Sequence, residues 1–178
     1  MAPYAHGGDI RTAQALRGGP VADFSANLNP LGMPPEAARA AADAVADAVH
    51  YPDPLCRELR AAIARRDGVE PGQVFCGNGA ADVLFRLVLA LKPRRALVTA
   101  PAFSEYEQAL STVGCRVYRH YLKPERNFDV TEDFLSGIRR GLDLVFLCTP
   151  NNPTGRTVPR PLLLRVLEEC RRAGARLG

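Results

Sequence analysis

The stretch 144–155 reads Leu-Val-Phe-Leu-Cys-Thr-Pro-Asn-Asn-Pro-Thr-Gly and indicates the fold of the chain. Its first five residues are apolar without a break, which is typical of a strand buried on both faces of a parallel sheet. The Asn-Pro and Thr-Gly pairs that follow favour a fixed turn. Open α/β sheets bind ligands at the carboxyl ends of their strands. The stretch therefore predicts an Asn-bearing turn at a ligand-binding edge, with a plain strand-to-helix turn as the alternative.

Outward from this stretch, predicted strands alternate with predicted helices. The strands are predicted at 74–76, 96–100, 115–120 and 144–148, and 175–178 begins another. The helices are predicted at 36–50, from Asp53 to about Gly68, at 81–91, at 105–113, briefly after Thr131, and from Pro161 to Gly174. Residues 1–35 carry many Gly and Pro breakers and are predicted to be irregular. The alternation favours a mostly parallel α/β sheet.

Two further loops follow predicted strands. Gly77-Asn78-Gly79-Ala80-Ala81-Asp82 opens a predicted helix, and glycines there let backbone N–H groups approach a phosphate. The loop matches neither the dinucleotide fingerprint nor the P-loop, and a tight turn without a ligand is the alternative. In the second loop, Phe103 can lie flat against a planar ligand, whereas Tyr106 is expected in the core.

Composition excludes several classes of protein. The 178 residues are 47% hydrophobic with a net charge of +4, so the chain is expected to fold rather than to be disordered. Its basic clusters, Arg65-Arg66, 92–95, Arg139-Arg140 and Arg171-Arg172, lie near predicted helix ends, where cations suit the helix dipole. We expect no nucleic-acid partner, no membrane span, no secretion signal and no metal site. The five cysteines are expected to be thiols in a reducing cytoplasm.

Four stretches together resemble the fold-type I pyridoxal phosphate enzymes of the class I/II aminotransferase superfamily. They are His-Gly-Gly at 6–8, Asp-Phe-Ser-Ala-Asn-Leu-Asn-Pro-Leu-Gly-Met-Pro at 23–34, Leu-Lys-Pro-Arg-Arg-Ala at 91–96, and Phe-Leu-Cys-Thr-Pro-Asn-Asn-Pro-Thr-Gly at 146–155. The last is shared with histidinol-phosphate aminotransferases. The first two are most similar to the threonine-phosphate decarboxylases of cobalamin biosynthesis.

The resemblance implies an α/β PLP-transferase fold of type I. Residues 1–50 would be an irregular or helical N-terminal arm with part of the small domain, and residues 51–178 would begin the PLP-binding large domain. The resemblance also implies a cytoplasmic homodimer that binds pyridoxal 5'-phosphate. Its substrate would be a small phosphorylated amino acid, L-threonine O-3-phosphate, which it would convert to (R)-1-amino-2-propanol phosphate and CO2.

The same resemblance implies a role for individual residues. Asn152 would bind the phenolic oxygen of the cofactor and also contact substrate, and Phe103 would stack on the pyridine ring. The cofactor phosphate would be bound by the backbone of Gly79, Ala80 and Ala81, and by Tyr51 from the other subunit. The remaining substrate contacts would be His6, Gly7 and Asn27.

The lysines do not fit the catalytic position of the family. Lys92 and Lys123 are the only two in the sequence, and neither lies in the Ser-x-x-Lys setting. The Schiff-base lysine is therefore expected beyond Gly178, and the chain is interpreted as an N-terminal portion, inactive alone. An aminotransferase of the histidinol-phosphate type and a non-catalytic remnant or binding module are the two alternatives.

Overall fold

A computed structural model describes residues 7–178, which contain six α-helices and four strands. The helices are α1 Ile10–Arg17, α2 Pro35–Ala44, α3 Arg57–Asp67, α4 Gly79–Leu91, α5 Glu105–Ser111 and α6 Arg160–Ala173. The strands are β1 Arg95–Ala100, β2 Arg116–Tyr121, β3 Leu144–Phe146 and β4 Arg176–Leu177. Within the described residues, no helix is long and apolar enough to cross a membrane.

The chain divides into two compact units, Met1–Ile63 and Ala64–Gly178. In the first unit, the expectation of an irregular start is wrong for α1. The Asp9 side chain accepts a hydrogen bond from the Thr12 N–H, and Gly18 ends the helix in the left-handed conformation. These two caps were the sequence signal for α1, and the Gly and Pro residues around them obscured it.

The predicted helix over 36–50 forms in two parts. α2 is followed by a 3₁₀ segment at Val45–Val49. The next helix begins later than its sequence predicted, because Asp53 accepts hydrogen bonds from the N–H groups of Leu55 and Arg57. Those bonds hold 53–56 in a turn, and α3 starts at Arg57.

The second unit is built on a parallel sheet with the strand order β2-β1-β3-β4. The crossovers contain α5, a 3₁₀ segment at Glu132–Gly137, and α6. Parallel strands need such crossovers, and these bring all the strand carboxyl ends to one edge. The predicted parallel α/β sheet is confirmed.

Alternation along β3 divides the core between the two faces of the sheet. Val145 packs in one buried cluster with Phe134 and Val166. Leu144 and Phe146 point the opposite way, into a cluster with Val88 and Leu110. This explains the continuous apolar run that the sequence shows for β3.

The strand predicted at 74–76 is wrong. Residues 74–78 belong to no helix or strand, and Val74 follows a 3₁₀ turn at Pro71–Gln73. A strand forms only where a neighbouring backbone can pair with it. Within the described residues, no strand pairs with 74–76.

Truncating the buried side chain of Phe146 should strongly destabilise the second unit. Its side chain is 1% exposed and its ring stacks on Tyr106 at 4.6 Å, so Phe146→Ala should lower the free energy of unfolding by about 3–5 kcal/mol. Leu164→Ala on α6, where the side chain is 54% exposed, is the control and should change it by less than about 0.5 kcal/mol. Urea denaturation measures both values, and equal effects would contradict this assignment of the core.

Candidate functional site

The loops that follow β1 and β3 leave adjacent strands at the same edge of the sheet. The first loop carries Phe103 and the second carries Asn152. α4 leads into β1 through a short turn, and Val88 and Val98 of the two elements share one core cluster. The helix therefore runs antiparallel to the strand, and its first turn, at Gly79, lies toward the same edge. The three loops singled out by sequence all belong to this carboxyl edge.

Asn151 joins the loops after β1 and β3. Its side chain is 4% exposed, and its Nδ2 donates to the carbonyl oxygen of Pro101 at 3.1 Å and to Thr154 Oγ1 at 2.8 Å. Its backbone N–H donates to the carbonyl of Arg156, and its own carbonyl accepts from the Gly155 N–H, each at 2.7 Å. The turn predicted from Asn, Pro and Gly is therefore a closed, hydrogen-bonded loop.

The adjacent Asn152 has a different environment. It is exposed, and its amide lies on the surface of the turn that Asn151 holds. Sequence reasoning selected Asn152 and missed Asn151. The doubled Asn was the available signal, because a tight turn directs neighbouring side chains to different sides, here one inward and one outward.

Arg156 fastens the same turn to the segment after β2. Its Nε and Nη2 donate to the two carboxylate oxygens of Asp129 at 2.7 and 3.0 Å, a bidentate pair. The hydrogen bond from Arg156 lowers the pKa of Asp129, and that carboxylate is ionised at neutral pH. The pair fixes geometry more than it adds stability, because both groups are solvated.

The first turn of α4 presents backbone N–H groups beside open space. Gly79 has a φ of +80°, and a Cβ there would meet nothing within 4 Å. The Gly79 N–H donates back to the Gly77 carbonyl at 2.9 Å, so it is less available to a ligand than the sequence suggested. The N–H groups of Ala80 and Ala81 belong to the first helical turn, which has no acceptor further back in the helix.

The side chain of Asp82 holds the start of this helix in place. Its carboxylate accepts from the Asn78 N–H at 2.9 Å and from Arg86 Nε at 2.7 Å. A Cβ on Gly77 would lie 2.8 Å from both Asp82 Oδ2 and Val83 Cγ2, so any other residue there would displace these side chains. The pKa of Asp82 is lowered, chiefly by Arg86, and the ion pair offsets an acidic charge near the helix N-terminus.

Aromatic rings connect the loop after β1 to the core. Tyr106 stacks on Phe146, as the sequence predicted for a core residue. Phe103 is half-buried and meets Tyr106 edge to face at 5.9 Å, and it lines a cavity of about 310 Å³. Burial, and then the hydrogen bond with the Cys148 thiol, raises the pKa of Tyr106, so its hydroxyl stays protonated.

The other predicted site residues belong to the first unit. Tyr51 is fully exposed at 101%, and Asn27 is exposed. The Gly8 N–H donates to Ser25 Oγ at 2.8 Å, and a Cβ on Gly7 would lie 1.7 Å from the Ser25 carbonyl oxygen. The two N-terminal motifs are therefore packed together, and Gly7 admits no side chain. His6 lies outside the described residues.

Comparison with known proteins identifies the family. The model of the aminotransferase class I and II family matches residues 20–177. The chain belongs to this family. Its members include pyridoxal phosphate enzymes. The chain is 41% identical over 94% of its length to the threonine-phosphate decarboxylase of Salmonella typhimurium, covering 47% of that protein. It is 36% identical over 90% of its length to the histidinol-phosphate aminotransferase of Moorella thermoacetica, covering 42% of that protein.

A solved structure confirms the fold. The L-threonine-O-3-phosphate decarboxylase of Porphyromonas gingivalis matches with a TM-score of 0.65 and 25% identity, over 80% of this chain and 41% of that one. The predicted α/β fold of the PLP transferases is therefore confirmed. The chain spans about half the length of the curated relatives that it matches.

The carboxyl edge fits this family's cofactor. The open space at Gly79 and the free first-turn N–H groups suit a phosphate, because the N-terminus of a helix favours an anion. The cavity beside Phe103, which residues 98–108 line, has room for a planar ring, and the amide of Asn152 is exposed on the loop after the neighbouring strand. Among the described residues, no cluster of His, Cys, Asp and Glu could hold a metal ion.

The two neighbouring asparagines should respond differently to truncation. Asn151→Ala removes two buried hydrogen bonds and leaves the Pro101 carbonyl without its side-chain donor, so the free energy of unfolding should fall by about 1–3 kcal/mol. Asn152→Ala removes an exposed amide and should change it by less than about 0.5 kcal/mol. Urea denaturation of both variants checks this, and a larger loss for Asn152→Ala would contradict it.

The half-buried His120 should make stability depend on pH. Burial lowers the pKa of His120 below 6.5, and the charge of Lys123 lowers it further. Asp133, whose Oδ1 lies 3.8 Å from His120 Nε2, raises this pKa by a smaller amount. The unfolded chain therefore takes up this proton first as the pH falls below about 6.5. The free energy of unfolding should decrease over that window.

Thermal denaturation from pH 7.5 to 5 measures this loss of stability. His120→Gln should make the melting temperature depend less steeply on pH. His50→Gln, at an exposed position, should leave that dependence as it is in the unmodified protein. An unchanged slope in His120→Gln would contradict the assignment.

Proposed function

We propose that the protein containing this chain decarboxylates L-threonine O-3-phosphate with pyridoxal phosphate as cofactor. The observation that carries the proposal is the 41% identity over 94% of the chain to a threonine-phosphate decarboxylase. The reaction breaks the bond from Cα to the carboxylate, adds a proton to Cα, and yields (R)-1-amino-2-propanol phosphate and CO2. The bound cofactor supplies an electron sink for this step.

In this proposal the carboxyl edge orients the cofactor. The Asn152 amide donates to the phenolic oxygen of the cofactor, and the ring of Phe103 covers one face of its pyridine. The N–H groups of Ala80 and Ala81 bind its phosphate, for which Gly79 leaves space because it has no side chain. Asn151 acts indirectly, because it fixes the loop of Asn152 to the loop of Phe103.

The remaining roles in this proposal rest on the resemblance to the decarboxylases. His6, Gly7, Asn27 and Asn152 are proposed to contact the substrate. Tyr51 binds the cofactor phosphate of a second subunit in a homodimer. The ring of Tyr51 is fully exposed and is therefore accessible to a second subunit.

The lysine that holds the cofactor is proposed to lie outside these 178 residues. Lys92 ends α4 and precedes β1, at the amino edge of the sheet, away from Gly79 and Asn152. Lys123 follows the edge strand β2, where it acts on the pKa of His120. The 178-residue chain alone should therefore release no CO2, and measurable turnover by it would contradict this assignment.

An aminotransferase of the histidinol-phosphate type is the second candidate, supported by the 36% identity to such an enzyme. The two reactions differ in which bond at Cα breaks, and hence in whether an amino acceptor is consumed. One assay on the protein that contains this chain separates them. CO2 release from L-threonine O-3-phosphate without 2-oxoglutarate is the expected result, and turnover of histidinol phosphate that requires 2-oxoglutarate would replace the proposal.

Asn152→Ala should weaken cofactor binding by about tenfold, which corresponds to one hydrogen bond of about 1.4 kcal/mol. Titration of the cofactor absorbance measures this affinity without using activity. Thr157→Ala, an exposed change in the same loop, is the control and should bind as the unmodified protein does. Equal affinities for the unmodified protein and Asn152→Ala would remove Asn152 from the cofactor site.

A further inference from the structure

The amino edge of the sheet, opposite the candidate site, carries a concentration of arginines. Three strands begin at an arginine, and the register pairs the first residues of β1 and β2 with each other. Further arginines precede β1 and lie in the turn that leads to β3. The six that we call the arginine edge are Arg94, Arg95, Arg116, Arg139, Arg140 and Arg176.

Asp143 accepts hydrogen bonds from the backbone N–H groups of three of these arginines. Its Oδ2 accepts from the N–H groups of Arg94 at 2.7 Å and Arg95 at 2.9 Å, and its carbonyl accepts from the Arg176 N–H at 3.0 Å. Asp143 therefore organises the edge through its carboxylate and its backbone carbonyl, and it forms no ion pair with the guanidinium groups there.

Most arginines elsewhere in the second unit are paired with a carboxylate. Seven of them form ion pairs, namely Arg66 with Asp67, Arg86 with Asp82, Arg119 with Glu107, Arg126 with Asp133, Arg156 with Asp129, Arg165 with Glu132 and Arg172 with Glu168. Across residues 7–178, no carboxylate pairs with a guanidinium of the arginine edge. Arg116 instead lies over the ring of Tyr118 at 5.2 Å. Among the described arginines of the second unit outside this edge, only Arg65, Arg160 and Arg171 form no ion pair, so most of the unpaired arginines lie at the arginine edge.

A cavity of about 190 Å³ opens among them. Arg95, Arg139 and Arg140 line it, with the ring of Tyr118 and the backbone of Gly141. The Arg95 guanidinium lies against the turn, since its Nη1 is 2.8 Å from where a Cβ on Gly141 would be. Three cations around one small cavity repel one another, and an anion between them relieves that repulsion.

We propose that this cavity binds the diphosphate group of a small molecule. Guanidinium groups match phosphate oxygens in paired hydrogen bonds, which favours phosphate over a simple halide. The volume suits a group of this size, and Arg116, which lies over the ring of Tyr118 at the cavity wall, provides charge for a second phosphate. The site is separate from the Gly79 turn, because the six residues of β1 place about 20 Å between the two edges.

The test measures binding of inorganic pyrophosphate by titration calorimetry, using the protein that contains this chain. Arg139→Gln/Arg140→Gln should weaken binding at least tenfold, because it removes two of the three cations that line the cavity. The control, Arg119→Gln/Arg126→Gln, removes the same charge from positions away from the cavity and should change the affinity less than twofold. ADP in a second titration shows whether the diphosphate is bound alone or within a nucleotide.

Hydrogen exchange locates the ligand independently of any cofactor. Pyrophosphate should protect the backbone amides of 139–142, whether or not it also binds the phosphate site proposed at 77–82. Protection only at 77–82, or equal weakening in the two double variants, would overturn the proposal. Tighter binding of a single-stranded oligonucleotide that pyrophosphate cannot displace would also overturn it and would assign the edge to a nucleic acid.

Discussion

The bond from the Asn151 amide to the Pro101 carbonyl fixes the carboxyl edge of the sheet. β1 and β3 are neighbours in the sheet, but their loops have no regular structure of their own to hold them together. A buried amide provides that connection, and its other donor bond, to Thr154, closes the turn that carries Asn152. This side chain, together with the hydrogen bond between Tyr106 and Cys148, sets the positions of Phe103 and Asn152 relative to each other.

The bond has a cost that indicates its role. Asn151 Oδ1 is buried and has no hydrogen-bond partner within the described residues. An unsatisfied buried acceptor costs about 1–3 kcal/mol, which consumes much of what the two donor bonds contribute. An apolar residue could fill the space without that penalty but could not join the loops. Asn151 therefore joins the two loops at a small net gain in stability, and its truncation costs more than that gain because the Pro101 carbonyl loses its donor.

Sequence patterns predicted the structural features that depend on neighbouring residues, and they missed the features that depend on contacts with distant residues. The apolar run of β3, the Gly174 stop of α6 and the core position of Tyr106 all follow from local periodicity and capping. The failed strand at 74–76 depended on a pairing partner that local sequence does not reveal. Likewise, the inward direction of Asn151 depends on Pro101, fifty residues away.

The two edges of the sheet make opposite use of charge. At the carboxyl edge, Asp82 is neutralised by Arg86, and the N–H groups of Ala80 and Ala81 offer an anion only partial charges. Alanine at both positions leaves no side-chain donor there. At the amino edge, full charges stand unpaired around a cavity. An anion at the first edge would be bound by the fixed positions of backbone N–H groups, whereas an anion at the second would be bound by full charges, which salt screens more strongly.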